Sequence, residues 1–172
     1  MKEKTGLVQL KSEAVVGELM KILADEYVLS TKTRSAHWNV TGEDFYDKHK
    51  FFESQFFQLD EFIDSIAERI RSIGHYAPAS LGSFIELTQL TEKSSNITDG
   101  MGLIKELLCD HEAIIIRLRK NIEPFSVEYK DVGTSDFITD LMEEHEKMAW
   151  FLRSHLPEVA TASDPIRAQR SG

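Results

Sequence analysis

At 172 residues, with 41% hydrophobic and 28% charged side chains, the chain is the size of one domain around one core. No apolar run reaches the roughly 18–20 residues that span a bilayer. The first residues lack the apolar stretch of a secretory signal, and the single cysteine, Cys109, excludes an internal disulfide framework. A cytoplasmic location is expected, and a formal charge of −9 repels nucleic-acid phosphates and favours cations as partners.

Four long helices follow from apolar residues at 3.6-residue spacing. The first is expected from Ser12 to His37, with Val15, Val16, Leu19, Met20, Leu23, Tyr27 and Val28 on its inner face. Asn39-Val40-Thr41-Gly42 reads as a turn in which Gly42 takes a left-handed conformation. The second helix is expected from Glu43 to Ile73, along a stripe of Phe45, Phe52, Phe56, Leu59, Ile63, Ile66 and Ile70, and is ended by Gly74 and Pro78. The connection 79–95 carries Ser83-Phe84-Ile85-Glu86, a capping-box pattern that predicts a short helix there.

The third long helix is expected from Asn96 to Asn121, weakened at its start by Gly100 and Gly102 and stopped by Pro124. The fourth is expected from Thr134 or Ser135, either serving as N-cap, to His155 before Pro157. Four amphipathic helices close most economically as an all-α antiparallel four-helix bundle, with an extra short helix between helices two and three. The whole chain reads as one such domain with short mobile tails at about 1–10 and 157–172.

Five residues of metal-binding type stand out: His37, His49, Glu53, Asp64 and Glu68, spaced by 12, 4, 11 and 4. At about 100° per residue, with His49 as origin, Glu53, Asp64 and Glu68 fall at roughly 40°, 60° and 100°. The four therefore share one flank of the second helix, as two pairs each a single turn apart. From Glu53 to Asp64 is roughly 16 Å of helix, and metal bonds span only about 2.0–2.2 Å. One straight helix cannot join the pairs. Two antiparallel copies crossing near Gln58 and Leu59 join them twice, His49 and Glu53 of one meeting Asp64 and Glu68 of the other. His37 joins His49 and Glu53 across the short turn.

Two imidazoles and three carboxylates suit iron(II), manganese(II) or zinc. A carboxylate-rich, accessible iron site stabilises iron(III), which is ferroxidase chemistry. Taken singly, each of the five reads as well as a solvated side chain beside an apolar stripe, so on spacing alone a metal site and a merely acidic flank remain alternatives. A di-iron site inside each bundle is disfavoured, because none of the six histidines has Asp or Glu three residues before it.

The segment Ser35-Ala36-His37-Trp38-Asn39-Val40 with Gly42, Phe45-Tyr46 and His49, followed by Ile63-Asp64-Ser65-Ile66-Ala67-Glu68-Arg69-Ile70, resembles the Dps family of ferritin-like mini-ferritins. A further match runs from Thr134-Ser135-Asp136-Phe137 to Lys147, Trp150 and Phe151, and the resemblance covers about residues 10–156. It implies a hollow shell of twelve subunits with ferroxidase sites at two-fold interfaces. His37, His49 and Glu53 would come from one subunit, and Asp64 and Glu68 from its partner. Glu53 stands where the family often has Asp. The implied activity is oxidation of iron(II), preferably by hydrogen peroxide, and storage of iron(III) oxide, with zinc or manganese as competing ions.

By the same resemblance Trp38 is a candidate electron donor, with interface packing as its plain alternative. Asp136 and Asp140 are candidate three-fold pore residues, joined less firmly by Asp131 and Glu144. The N-terminal arm (Lys2, Lys4, Lys11, offset by Glu3) and the C-terminal tail (Arg167, Arg170, offset by Glu158 and Asp164) are only weakly basic, so weak or absent DNA binding is expected at physiological salt. A DNA-compacting shell with incidental iron chemistry is the alternative function, and a helical interaction protein with a solvated acidic flank is a third. Cys109 is expected to be buried. His111 and His145 are expected at the surface or between helices, without a second metal site.

Overall fold

The structure is a computed structural model that describes residues 6–92 and 99–157. Helices α1 (Gln9–Asn39), α2 (Phe45–Ser72), α4 (Gly100–Glu123) and α5 (Val132–Ser154) form the expected bundle, and α3 (Leu81–Leu87) is the short helix of the connection. The core is aliphatic with two phenylalanines at its centre, and includes Leu19, Leu23, Phe52, Leu59, Ile66, Ile104, Ile114, Leu118, Phe125 and Ile138. Each lies at helical spacing on its own element, so every long helix buries a stripe against the others.

α1 packs chiefly against α2, and α4 against α5, with α3 laid on α1. The turn between α1 and α2 has Gly42 at φ +123°, a conformation that a side chain would strain. The long crossover returns beside this turn: Thr41 and Asp99 form an isolated parallel bridge. α2 and α4 therefore start at the same end and run parallel, as a long crossover requires. At Gly100 the backbone comes close to the buried Lys48, and a Cβ there would lie 2.2 Å from its Cδ, so that side chain would have to shift. Asp25 secures the crossover. Its carboxylate is ion-paired with Arg117 and accepts hydrogen bonds from the Thr88 hydroxyl (2.7 Å) and the Gln89 backbone N–H (2.6 Å).

Several expectations change. Gln9 and Leu10, expected in a tail, begin α1, and Lys11 donates to the Glu128 carbonyl at 2.7 Å, so it is tied to the body. The cap of α3 is Ser80, whose hydroxyl accepts from the Ser83 N–H, rather than Ser83 itself. The predicted start of the third long helix at Asn96 lies outside the described residues, and α4 is capped by Asp99, which accepts from the Gly102 N–H. α4 ends at Glu123, directly before Pro124 as expected, but the chain goes on coiling beyond it. The missing N–H of Pro124 is absorbed by one π-helical turn, Pro124–Glu128.

α5 is capped by Asp131, not by Thr134 or Ser135. The Asp131 carboxylate accepts the Thr134 N–H (3.0 Å) and the Thr134 hydroxyl (2.5 Å) and pairs with Arg69 (3.1 Å). Cys109 is exposed, because it faces away from the stripe formed by Leu107, Leu108 and His111. Of the two alternatives for His111 and His145, the structure has the one between helices, with both residues buried where α4 meets α5. No helix among the described residues is long and apolar enough to cross a membrane. The C-terminal tail 158–172 and residues 1–5 lie outside the described residues.

Candidate metal site

His37 lies in the last turn of α1, and His49 lies one turn into α2. The turn between the helices folds them so closely that each imidazole reaches the other's backbone. His37 Nδ1 bonds the His49 carbonyl at 2.9 Å, and His49 Nδ1 bonds the His37 carbonyl at 2.8 Å. A carbonyl only accepts, so both Nδ1 atoms carry the proton. The rings stack with centroids 3.8 Å apart and planes at 23°. With Nδ1 engaged by a carbonyl, each ring has a fixed orientation in which Nε2 is the atom that would meet a metal, as a metal-binding imidazole requires. His37 is buried, and Phe56 packs edge-on against it at 5.3 Å.

Glu53 follows His49 by one turn and sits close enough to both imidazoles for their charge to act on it. The hydrogen bond from Lys50, an ion pair of 2.8 Å, is the main influence holding the Glu53 carboxyl below the ordinary carboxylate range. His37, His49 and Glu53 thus lie near one another at the α1–α2 corner.

Asp64 and Glu68 lie further along α2, both exposed. Asp64 lines a cavity of about 520 Å³ with Arg34, Asp60, Ile63, Ala67 and Pro78. Among the described residues of one chain, no three His, Cys, Asp or Glu side chains gather closely enough to hold a metal ion. The candidate residues of one chain therefore fall in two separate places, His37, His49 and Glu53 at the α1–α2 corner and Asp64 and Glu68 further along α2.

Trp38, beside His37, is 69% exposed. Asp136 and Asp140 are exposed on α5, one turn apart. Asp131 is removed from the pore candidates, because its carboxylate is buried as the cap of α5 and as the partner of Arg69. Glu144 accepts a hydrogen bond from Gln58 at 2.8 Å and is held against α2.

One polar cluster escaped the sequence reading. His145 Nε2 lies 2.9 Å from Glu26 Oε1, and His145 Nδ1 lies 2.9 Å from His111 Nδ1, with all three residues buried. Glu26 Oε2 has no hydrogen-bond partner. The two imidazoles meet edge to edge with a proton between them. Burial, and then the neighbouring His145, hold the His111 imidazole well below its ordinary value, so it is neutral. Glu26, His111 and His145 each occupy a stripe position of their own helix, a signal visible in the periodicity.

The chain matches the ferritin-like domain family model over residues 16–162. It is 40% identical over 151 residues to an uncharacterized low temperature-induced protein of Nostoc, covering 88% of this chain and 84% of the relative. It is 33% identical over 145 residues to the DNA protection during starvation protein 2 of Bacillus anthracis, covering 84% and 98%. Among solved structures, the Dps protein of Vibrio cholerae, described as a member of a broad superfamily of ferritin-like diiron-carboxylate proteins, superposes with a TM-score of 0.84 at 29% identity, over 91% of this chain and 97% of its own. Dps from Thermosynechococcus elongatus superposes at 0.81 and 27% identity, over 90% and 98%. With a ferritin-like domain across most of its length and relatives of this kind in both sequence and structure, the chain belongs to the Dps family of ferritin-like proteins.

Proposed function

We propose that the protein oxidises iron(II) at sites shared between two subunits and stores the iron(III) oxide inside a hollow homo-oligomer of twelve, which protects against oxidative damage. Iron is the substrate, and His37, His49 and Glu53 of one subunit bind it together with Asp64 and Glu68 of the next. The observation that carries this reading is the reciprocal Nδ1–carbonyl lock of His37 and His49. It orients two imidazoles through Nδ1 and leaves Nε2 of each as the atom that would meet a metal, while the hard carboxylates that would complete the site stand further along α2. Membership of the Dps family supports iron handling at the level of the family.

Hydrogen peroxide is the proposed oxidant. Two iron(II) ions each give one electron, the O–O bond breaks, and two protons complete two waters, so hydroxyl radical is not released. Trp38 is placed beside His37 to donate an electron to a stray oxidant. Asp136 and Asp140 admit cations through three-fold pores, where zinc or manganese would compete. The protein works in the cytoplasm. DNA binding is weak or absent, because the acidic body opposes phosphates and Lys11 is held by the Glu128 carbonyl instead of extending as an arm.

Anaerobic iron(II) binding followed by peroxide-driven oxidation, comparing the parent with Asp64→Ala/Glu68→Ala, tests the reading. A large loss of fast oxidation is expected, and oxidation at the parental rate would overturn it. A mobility shift of DNA that persists at about 0.15 M salt would favour the DNA-compacting alternative.

A further inference from the structure

We propose that Arg34 is a positioning residue that withholds Asp60 from the iron-binding flank and so sets how tightly the Asp64–Glu68 half-site holds a divalent cation; this rests on the ferroxidase reading above. Asp60 lies one turn before Asp64 on α2, roughly 6 Å along the axis, and the two line the same cavity. By type and position Asp60 would extend the carboxylate half-site with another hard oxygen donor. Both its oxygens are engaged instead. Arg34 of α1 is ion-paired with Oδ2, and the Ser30 hydroxyl donates to Oδ1 at 3.1 Å.

Arg34 is itself held in place. Its guanidinium stands 4.2 Å from the centre of the Phe56 ring, a cation–π contact, and Phe56 packs on His37. The guanidinium is therefore a fixed positive charge in the cavity that Asp64 lines. A bound divalent ion meets this repulsion and finds two carboxylates rather than three. An iron store must pass ions onward from the oxidation site to its interior, so a flank that binds moderately serves it better than one that traps.

The charges give an ordered prediction. Arg34→Ala removes a positive charge and frees Asp60, so affinity rises. Asp60→Asn leaves the guanidinium uncompensated, so affinity falls. The double variant removes both charges and returns towards the parent, and Arg34→Lys keeps the charge and stays near it. For a divalent ion about one to two helical turns from a unit charge, each single shift is on the order of tenfold.

Cobalt(II), which resists oxidation under anaerobic conditions, is the probe, titrated into the assembled protein and read by its visible absorption and by calorimetry. Opposite shifts in Arg34→Ala and Asp60→Asn, cancelling in the double variant and absent in Arg34→Lys, support the proposal. Affinities of both single variants within about twofold of the parent, or shifts of the same sign, overturn it. Asp64→Ala serves as the control. If it loses cobalt while the Arg34 series is flat, only the Arg34 proposal falls. If it binds cobalt as the parent does, the shared-site reading falls with it.

Discussion

The Nδ1 atoms of His37 and His49 are engaged with each other's backbone carbonyls, which leaves the two Nε2 atoms as the ones that would meet a metal. The residue types and their order were legible in the sequence, because His, Glu and Asp at one-turn spacing on one flank is a pattern that can be counted. The lock was not legible. It depends on how tightly the Val40–Asp44 turn closes, and the eleven intervening residues say nothing of that. The Lys50–Glu53 pair was also hidden, since an i, i+3 pair of exposed charges is ordinary on any helix. Here Lys50 competes with an incoming ion for a carboxylate. Lys50→Ala is expected to tighten metal binding at the His37–His49–Glu53 half-site, by no more than a few-fold because exposed pairs are weak. Calorimetric titration with a divalent ion checks the direction. Unchanged or weaker binding would mean that Glu53 is no ligand.

At the scale of elements, the four long helices were visible because each carries a continuous apolar stripe, whereas their ends were less so. Asp131, Thr134 and Ser135 all have capping side chains within five residues. The choice of Asp131 was decided by Arg69 of α2, a tertiary contact that no local pattern reports. The buried Glu26–His145–His111 chain joins α1, α5 and α4. The sequence leaves His111 and His145 either at the surface or between helices, and their pairing with Glu26 inside the core is not legible because residues of these types are usually exposed. His145→Leu leaves the Glu26 carboxylate buried without its partner, and is expected to cost about 3–5 kcal/mol, read by denaturant unfolding. Glu26→Leu/His145→Leu should recover most of that loss. If the double variant is no more stable than the single one, shape rather than charge governs the core at this point.

The same chain sets a pH dependence. The His111 imidazole is held below its ordinary value of 6.5, so it is neutral when folded and takes up a proton on unfolding once the pH drops below that value. The unfolded state then binds more protons, and stability falls as the pH falls. His145 and Glu26 face His111 along the hydrogen-bonded chain, and Phe62 of α2 packs on the His145 ring at 5.3 Å. His111→Asn keeps a donor for His145 and removes the titrating group. Its loss of stability between about pH 7 and pH 5 should be shallower than the parent's, by at most about 1.4 kcal/mol per pH unit. Parallel stability–pH curves for the two proteins would contradict the assignment.

For the whole molecule, the proposed ligands lie in two places, at the α1–α2 corner and further along α2, and among the described residues of one chain no three of them gather closely enough to hold a metal ion. If the sites are completed across a two-fold axis, activity belongs to pairs of subunits, and two inactive variants should repair each other. His37→Ala/His49→Ala lacks one half, and Asp64→Ala/Glu68→Ala lacks the other. In a mixed pair, one of the two sites receives both damaged halves and the other receives both intact halves. Random co-assembly at equal amounts makes about half of all pairs mixed, each with one working site, so about one quarter of the parental oxidation rate should return. Each variant assembled alone should stay inactive, as should a mixture of separately assembled shells that do not exchange subunits. A site built within one chain would give no recovery under any mixing, so the stopped-flow rate after co-refolding distinguishes the two architectures directly.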